Sequence, residues 1–287
     1  MSAVMARTRP TSTDRLRRAL CAALAATLLS FPGIGPAAAG AGELDARYRV
    51  SVAGIPIAEL GFAFREAEGA LESRLLVRAV GLAAAWNGAR SELATVGRLD
   101  GAGRPLPARF TSRVEKRDRD RAVEIRYDPA GAVAAVEITS RGRKKASEVP
   151  PELRVGTVDP LTAFARLRVW LEQAVAGRAG PAVTVPVFDG RKRLDLEARY
   201  VGRAPAPDGE NGEVLELAVR LVGIFGFDED DELIHLPDGD EPAPLRVLVR
   251  ADGSFLPLRL DVPDRRAGPV IELVRDCQRV RCPAQGG

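Results

Sequence analysis

The feature that most constrains the fold of this chain is a two-residue alternation of apolar and polar side chains. The alternating apolar positions include Tyr48/Val50/Val52, Leu60/Phe62/Phe64, Val123/Ile125/Tyr127, Leu194/Leu196/Ala198/Tyr200, Leu245/Val247/Val249 and Leu256/Leu258/Leu260/Val262. One apolar and one polar face per strand is typical of antiparallel sheets with one side in a core. Short turn signals of the Asp-Gly kind separate several of these segments. The sequence therefore predicts a mainly β chain of about ten to twelve strands.

One segment, residues 159–176, has the pattern of an amphipathic helix instead. Asp159 suits the N-cap position, and Pro160 suits the first helical position. The apolar stripe consists of Phe164, Leu167, Trp170, Leu171 and Ala174, spaced three and four residues apart. Because such a stripe must be buried, we expect this helix to pack against a sheet. Residues 81–86 are expected to form a very short second helix or a loop across the barrel mouth.

Residues 1–39 have the composition of a secretory signal peptide. Five arginines precede or border an apolar run from Ala19 to Phe31, and small residues ending at Ala39 follow it. The apolar run is too short to span a bilayer. We expect export, with cleavage near Ala39, and one β-rich domain over residues 40–287 without a transmembrane segment. The alternative is an uncleaved N-terminal anchor.

The positive net charge of the chain belongs to this first segment. The whole chain has a formal charge of +3, and residues 1–39 hold five arginines and one aspartate, so the remainder carries −1. A nearly neutral body gives no electrostatic reason to expect a nucleic-acid partner. Two mixed-charge segments, residues 116–121 and 141–145, suit contacts with anionic lipid headgroups or polysaccharide. The more common role of such residues is to solvate the edges of a hairpin.

Cysteine usage agrees with export. Beyond the signal segment the chain retains only Cys277 and Cys282, close together near the C-terminus. An oxidising compartment permits a disulfide between them, which we predict, with two free thiols as the alternative.

The sequence offers no motif that carries catalytic chemistry. It lacks a Gly-x-Ser-x-Gly elbow, a His-Glu-x-x-His pair and a phosphate-binding loop. A catalytic role would make the single histidine, His235, a general base, but a lone histidine at a strand end is more often structural. The acidic run Asp228–Glu232 lacks the glycine and final glutamate of a calcium loop, which favours a solvated loop. We therefore expect no catalytic residue, no metal site and no cofactor.

A set of turn and cap segments runs through the chain after the signal. These segments are Tyr48–Ala58, Pro107–Phe110, Val158–Ala163, Phe188–Arg191 and Asp252–Leu258. In them the chain resembles the uncharacterised bacterial envelope family known as domain of unknown function 3108, over roughly residues 46–275. The resemblance implies a periplasmic protein with a large curved antiparallel sheet, similar to a half-barrel, and with the helix at residues 159–176 packed against it. Its motifs concern the fold rather than chemistry, and no catalytic residue carries over from it.

A half-barrel closed by a helix is able to bury an apolar ligand between sheet and helix. The predicted lining residues of such a cavity are Trp86, Phe164, Leu167, Trp170 and Leu171. The same residues would equally suit a barrel filled by its own side chains. We expect a non-enzymatic protein that binds a hydrophobic or lipid-linked envelope component. The alternatives are a scaffold for envelope assembly that acts through protein–protein contacts, and a carboxylate-based hydrolase of envelope polymers.

Overall fold

The structure is a computed structural model that describes residues 43–117, 119–207, 212–227, 234–235, 244–261 and 268–277. The predicted signal peptide, residues 1–39, and its cleavage site lie outside the described residues and stay predictions. Within the described part of the chain, no helix is both long and apolar enough to cross a membrane.

The described residues form fifteen strands, two helices and one 3-10 turn. The strands are β1 Leu44–Val52, β2 Ile55–Ala67, β3 Ala70–Ala79, β4 Arg90–Leu99, β5 Pro105–Lys116, β6 Arg119–Tyr127, β7 Val133–Ser140, β8 Arg143–Lys145, β9 Ala182–Phe188, β10 Arg193–Ala204, β11 Val214–Phe225, β12 Ile234–His235, β13 Leu245–Arg250, β14 Pro257–Asp261 and β15 Pro269–Asp276. The helices are α1 Gly81–Asn87 and α2 Pro160–Val175, and the 3-10 turn is Pro151–Arg154.

Fourteen of these strands make one antiparallel sheet in the order β8-β7-β6-β5-β4-β3-β2-β1-β15-β14-β13-β11-β10-β9, and β12 adds to β11 in parallel. We call β1–β8 the first wing and the remaining strands the second wing. The first and last strands pair at the junction of the wings, with Val50 opposite Ile271. The edge strands β8 and β9 do not pair with each other, so the sheet is not closed. The predicted mainly β fold is confirmed, with more strands than the sequence predicted.

The two-residue alternation produces the buried face of the sheet. On β6 the side chains of Val123, Ile125 and Tyr127 are buried, as the alternation predicted. Register shifts interrupt several ladders, among them the shift at Val96/Gly97 between β4 and β5. Irregularities of this kind increase the local twist and bend of a strand. They help the long sheet to curl around its apolar face.

Helix α2 lies on that apolar face and joins the two wings. It contacts β3, β4 and β5 of the first wing and β9 and β10 of the second. Leu161 and Ala165, in its first half, belong to the core cluster of the first wing. Trp170 and Leu171, in its second half, belong to the core cluster of the second wing. The predicted amphipathic helix is therefore confirmed.

The turn between β9 and β10 brings the second wing onto the first. Gly190 in this turn has φ +94°, and a Cβ atom there would overlap the side chain of Val123 in β6. The Ser147 hydroxyl donates a hydrogen bond of 2.7 Å to the Gly190 carbonyl. Glycine is needed here both for the backbone conformation and for this close approach. This contact therefore holds the second wing against the first at a point where β9 and β10 do not pair with strands of the first wing.

Candidate ligand-binding site

Helix α2 crosses the concave face between strands that flank the middle of the sheet. The strands it contacts most, β3–β5 and β9–β10, lie on either side of the central strands β1, β15 and β14. Over the middle, Phe164 of α2 meets Phe62 of β2 with ring centroids 4.8 Å apart in an edge-to-face arrangement. The helix therefore bridges the strands on either side of the middle of the sheet, and Phe164 packs on β2 next to the central strands.

Several apolar side chains of α2 and of the central strands are only partly buried. They are Phe164 and Leu167 from α2, Leu260 from β14, and Ile271 and Leu273 from β15. Leu260 lies directly opposite Ile271 in the ladder between β14 and β15. By contrast, Phe110 and Ile125 of the first wing are fully buried. We call the five partly buried residues the central groove, because the chain's own side chains cover them incompletely.

A buried hydroxyl lies beside this groove on β1. Tyr48 is opposite Leu273 in the ladder, and among the described residues its hydroxyl oxygen has no hydrogen-bond partner. Burial raises the pKa of Tyr48 far above its usual value, so the phenol stays protonated. A buried hydroxyl without a partner is costly for a folded protein, which makes it a candidate for hydrogen bonding to a ligand.

Two arginines contact the turn between β13 and β14, Arg168 from α2 and Arg250 from the end of β13. The Arg168 guanidinium lies over the ring of Phe64 at 4.5 Å, and its Nε and Nη2 donate to the Ser254 carbonyl at 3.2 and 3.0 Å. Burial lowers the pKa of Arg168, although the group stays charged at neutral pH. Arg250 begins the same turn and pairs with Asp276 at 2.6 Å. This end of the concave face therefore carries hydrogen-bonding and charged groups, whereas the groove itself is apolar.

A fully buried carboxylate fixes the start of α2. Asp159 accepts hydrogen bonds from the Thr95 and Thr162 hydroxyls, both at 2.6 Å, and from the backbone N–H groups of Leu161 and Thr162, both at 3.0 Å. Burial raises the pKa of Asp159, opposed by these hydrogen bonds. The donors satisfy the carboxylate within the protein, so we assign it a role in positioning the helix.

The five predicted lining residues separate into three groups. Phe164 and Leu167 belong to the central groove. Trp170 and Leu171 are buried in the second-wing core, where the Trp170 Nε1–H donates to the Gly180 carbonyl at 3.1 Å. Trp86 is in α1, and its side chain lies outside the described residues. Contact of any of them with a ligand stays a prediction.

Sequence reasoning missed the groove residues of the central strands. Leu260 was in a recognised alternating segment, but Ile271 and Leu273 were not singled out, and neither were Tyr48 and Arg168 as polar neighbours. The missing information was the pairing of the first strand with the last. No local pattern reports that pairing, because it joins residues more than two hundred positions apart.

The remaining predicted sites fall largely outside the described residues. This is true of the acidic run 228–232, of Cys282 and of the His235 side chain. Cys277 follows β15 and is disulfide-bonded, but its predicted pairing with Cys282 stays a prediction. Within the described residues no group of three or more histidine, cysteine or acidic side chains could hold a metal ion.

The fold defines a class of β-barrel-like proteins in which an open antiparallel sheet curls around a single long helix. Residues 47–261 match the family model described as Protein of unknown function (DUF3108), and the chain belongs to this family. Among solved structures, the chain is similar to a β-barrel-like protein of domain of unknown function DUF1849 from Brucella abortus. The two are 12% identical, with a TM-score of 0.48, and the match covers 83% of this chain and 98% of the other. No curated protein matches the sequence.

Proposed function

We propose that this protein is a non-enzymatic periplasmic binding protein that holds a hydrophobic or lipid-linked envelope component in the central groove. The observation that carries the proposal is the incomplete burial of apolar side chains on α2, Phe164 and Leu167, and on the central strand β15, Ile271. Binding of an apolar ligand to partly uncovered apolar side chains is favourable, because it removes apolar surface from water.

The surroundings of the groove favour an amphipathic ligand. The walls are apolar, whereas Arg168 and Arg250 lie at the turn between β13 and β14. An acyl or isoprenoid chain would occupy the groove, and a polar or anionic head would lie towards the Arg168 guanidinium and the Tyr48 hydroxyl. The periplasmic location is part of the proposal and rests on the composition of residues 1–39.

Native mass spectrometry of the protein purified from a periplasm, followed by solvent extraction and lipid analysis, tests the proposal directly. We expect a stoichiometric adduct that is recovered as lipid. A ligand-free mass, together with no uptake of added fatty acid or phospholipid, would contradict the proposal. That result, combined with a stable protein partner, would support the scaffold function instead.

A matched pair of variants on β15 locates the site. Ile271→Trp fills the groove with a larger side chain and should abolish the adduct. Val274→Trp is the control, because Val274 is exposed on the same strand. We expect the control to keep the adduct, with both variants showing the circular dichroism of the parent protein. Equal adduct levels in the two variants would exclude the groove as the binding site.

A further inference from the structure

One end of the first wing forms a continuous surface, which we call the basic end. It consists of the β1–β2 turn, α1, the β5–β6 turn and the β7–β8 turn, because every second connection of an antiparallel meander falls at the same end. Three hydrogen bonds join these parts. Val80 N–H donates to the Ile57 carbonyl at 3.0 Å, Arg117 Nη2 to the Ala85 carbonyl at 3.1 Å, and Arg141 N–H to the Asp120 carbonyl at 3.2 Å.

Two large apolar side chains protrude from this end. Ile55 is 59% exposed at the start of β2, and Leu82 is 78% exposed in the first turn of α1. The two regions adjoin, since a Cβ atom on Gly81 would lie 3.6 Å from the Pro56 carbonyl oxygen. Helix α1 carries no charged residue. The chain therefore presents an uncharged apolar tip at the same end as two turns that carry basic residues.

The positive charge at this end is a local excess. Residues 115–121 and 141–145 contain eight basic and three acidic residues, a net charge of +5, whereas residues 40–287 together carry −1. Arg143, Lys144 and Lys145 are all exposed on the edge strand β8. The strands that flank the acidic segment 228–232, β11 and β12, belong to the second wing.

We propose that the basic end docks the protein on an anionic phospholipid bilayer. Lysine and arginine side chains near an anionic surface are attracted to it, and small apolar tips insert at the headgroup level. A stable protein interface would need a larger apolar core from which charged side chains, lysine above all, are depleted. A bilayer needs no such core and no shape complementarity, so it fits two protruding apolar side chains bordered by flexible basic ones.

This docking surface is separate from the central groove and does not depend on the proposed ligand. Docking through this surface would orient the protein on a membrane with the β1–β2 turn and α1 facing the headgroups. A test of vesicle binding therefore includes the groove-filling variant Ile271→Trp, which should bind vesicles as the parent protein does. Loss of vesicle binding in that variant would assign the binding to the groove and overturn the docking proposal.

Sedimentation with vesicles tests the surface. The full exported protein is mixed with vesicles of equal parts phosphatidylglycerol and phosphatidylcholine, and separately with phosphatidylcholine alone. We expect binding to the anionic vesicles that weakens as salt is raised, and little binding to the neutral ones. Lys144→Glu/Lys145→Glu should lower the partition coefficient about thirtyfold or more, and Leu82→Ser roughly fivefold.

Control variants make the same changes elsewhere on the sheet. Arg65→Glu/Arg199→Glu alters the net charge by the same amount at exposed positions on β2 and β10, and Val201→Ser removes an apolar side chain that is 57% exposed. We expect these controls to change the partition coefficient less than threefold. Absence of binding to anionic vesicles, or an equal loss in the variants and their controls, would overturn the proposal.

Discussion

The Thr95 hydroxyl of β4 donates a hydrogen bond of 2.6 Å to Oδ1 of Asp159, the N-cap of α2. Both residues are buried, and Oδ1 of the same carboxylate also accepts the N–H groups of Leu161 and Thr162. One carboxylate therefore satisfies the first helical donors and ties them to the first wing. This contact sets where α2 begins and so how it lies across the central groove.

Replacement of Thr95 by valine should destabilise the protein by about 1–3 kcal/mol, because the new side chain has similar volume but cannot donate to the buried carboxylate. Urea denaturation followed by circular dichroism measures the change. Thr184→Val is the control, since Thr184 is exposed on β9 and should change the free energy of unfolding by less than about 0.5 kcal/mol. An equal loss in the two variants would contradict the role of Thr95.

The same carboxylate predicts a pH dependence of stability. Burial raises the pKa of Asp159 above the ordinary value of 3.8, so the folded protein holds this proton more tightly than the unfolded chain. Its contribution to the free energy of unfolding is greatest below pH 3.8 and declines as pH rises through the folded-state pKa. Asp159→Asn, which keeps an acceptor oxygen and does not titrate, should lack this decline. The prediction would be contradicted if the urea midpoint of the parent protein and that of this variant changed with pH by the same amount.

The sequence was sufficient to predict the helix with its cap and the class of the sheet. Asp159, Pro160 and the apolar stripe mark the start and the buried face of α2 through local rules of capping and periodicity. The strands with apolar residues at every second position were recognised for the same reason. These signals are local, so they do not depend on which elements finally pack together.

Strands β3 and β4 show why the alternation of apolar and polar residues in the sequence did not reveal every strand. Their inward positions include Ser73, Ser91 and Thr95, which are buried although they are polar. Thr95 faces the carboxylate of Asp159, so its hydroxyl is required by a residue 64 positions away. In the sequence, a polar residue that is buried because it bonds to a distant partner cannot be distinguished from a polar residue that faces solvent. The central groove was hidden for a related reason, because it depends on the pairing of β1 with β15.

The junction of β4 and β5 leaves no space for a side chain at Gly97. A Cβ atom at this position would overlap the backbone carbonyl of Leu106 on β5, where the register shifts. We expect Gly97→Ala to lower the free energy of unfolding by about 1–3 kcal/mol, because the two backbones must move apart. Gly101→Ala is the control, since a Cβ atom at Gly101 has no neighbour within 4 Å. Thermal melting of the two variants should separate them, and equal melting temperatures would contradict the close approach.

The ion pair between Arg250 and Asp276 joins β13 to β15 across β14, in surroundings that exclude water. The two side chains are only 6% and 9% exposed and meet at 2.6 Å, whereas those of Arg78 and Glu59 on β3 and β2 are 66% and 55% exposed at 2.8 Å. Removing one partner of a buried pair leaves a charge that the protein must desolvate without compensation. The same removal at the surface leaves a charge that water solvates.

Asp276→Ala should therefore lower the free energy of unfolding by about 3–5 kcal/mol, and Glu59→Ala by less than about 1 kcal/mol. The double variant Arg250→Met/Asp276→Leu removes both charges and keeps apolar volume, so it should recover most of the stability lost in Asp276→Ala. Urea denaturation of the four proteins, parent included, gives the comparison. If the double variant were no more stable than Asp276→Ala, the loss would come from packing at the β13–β15 junction rather than from an uncompensated charge on Arg250.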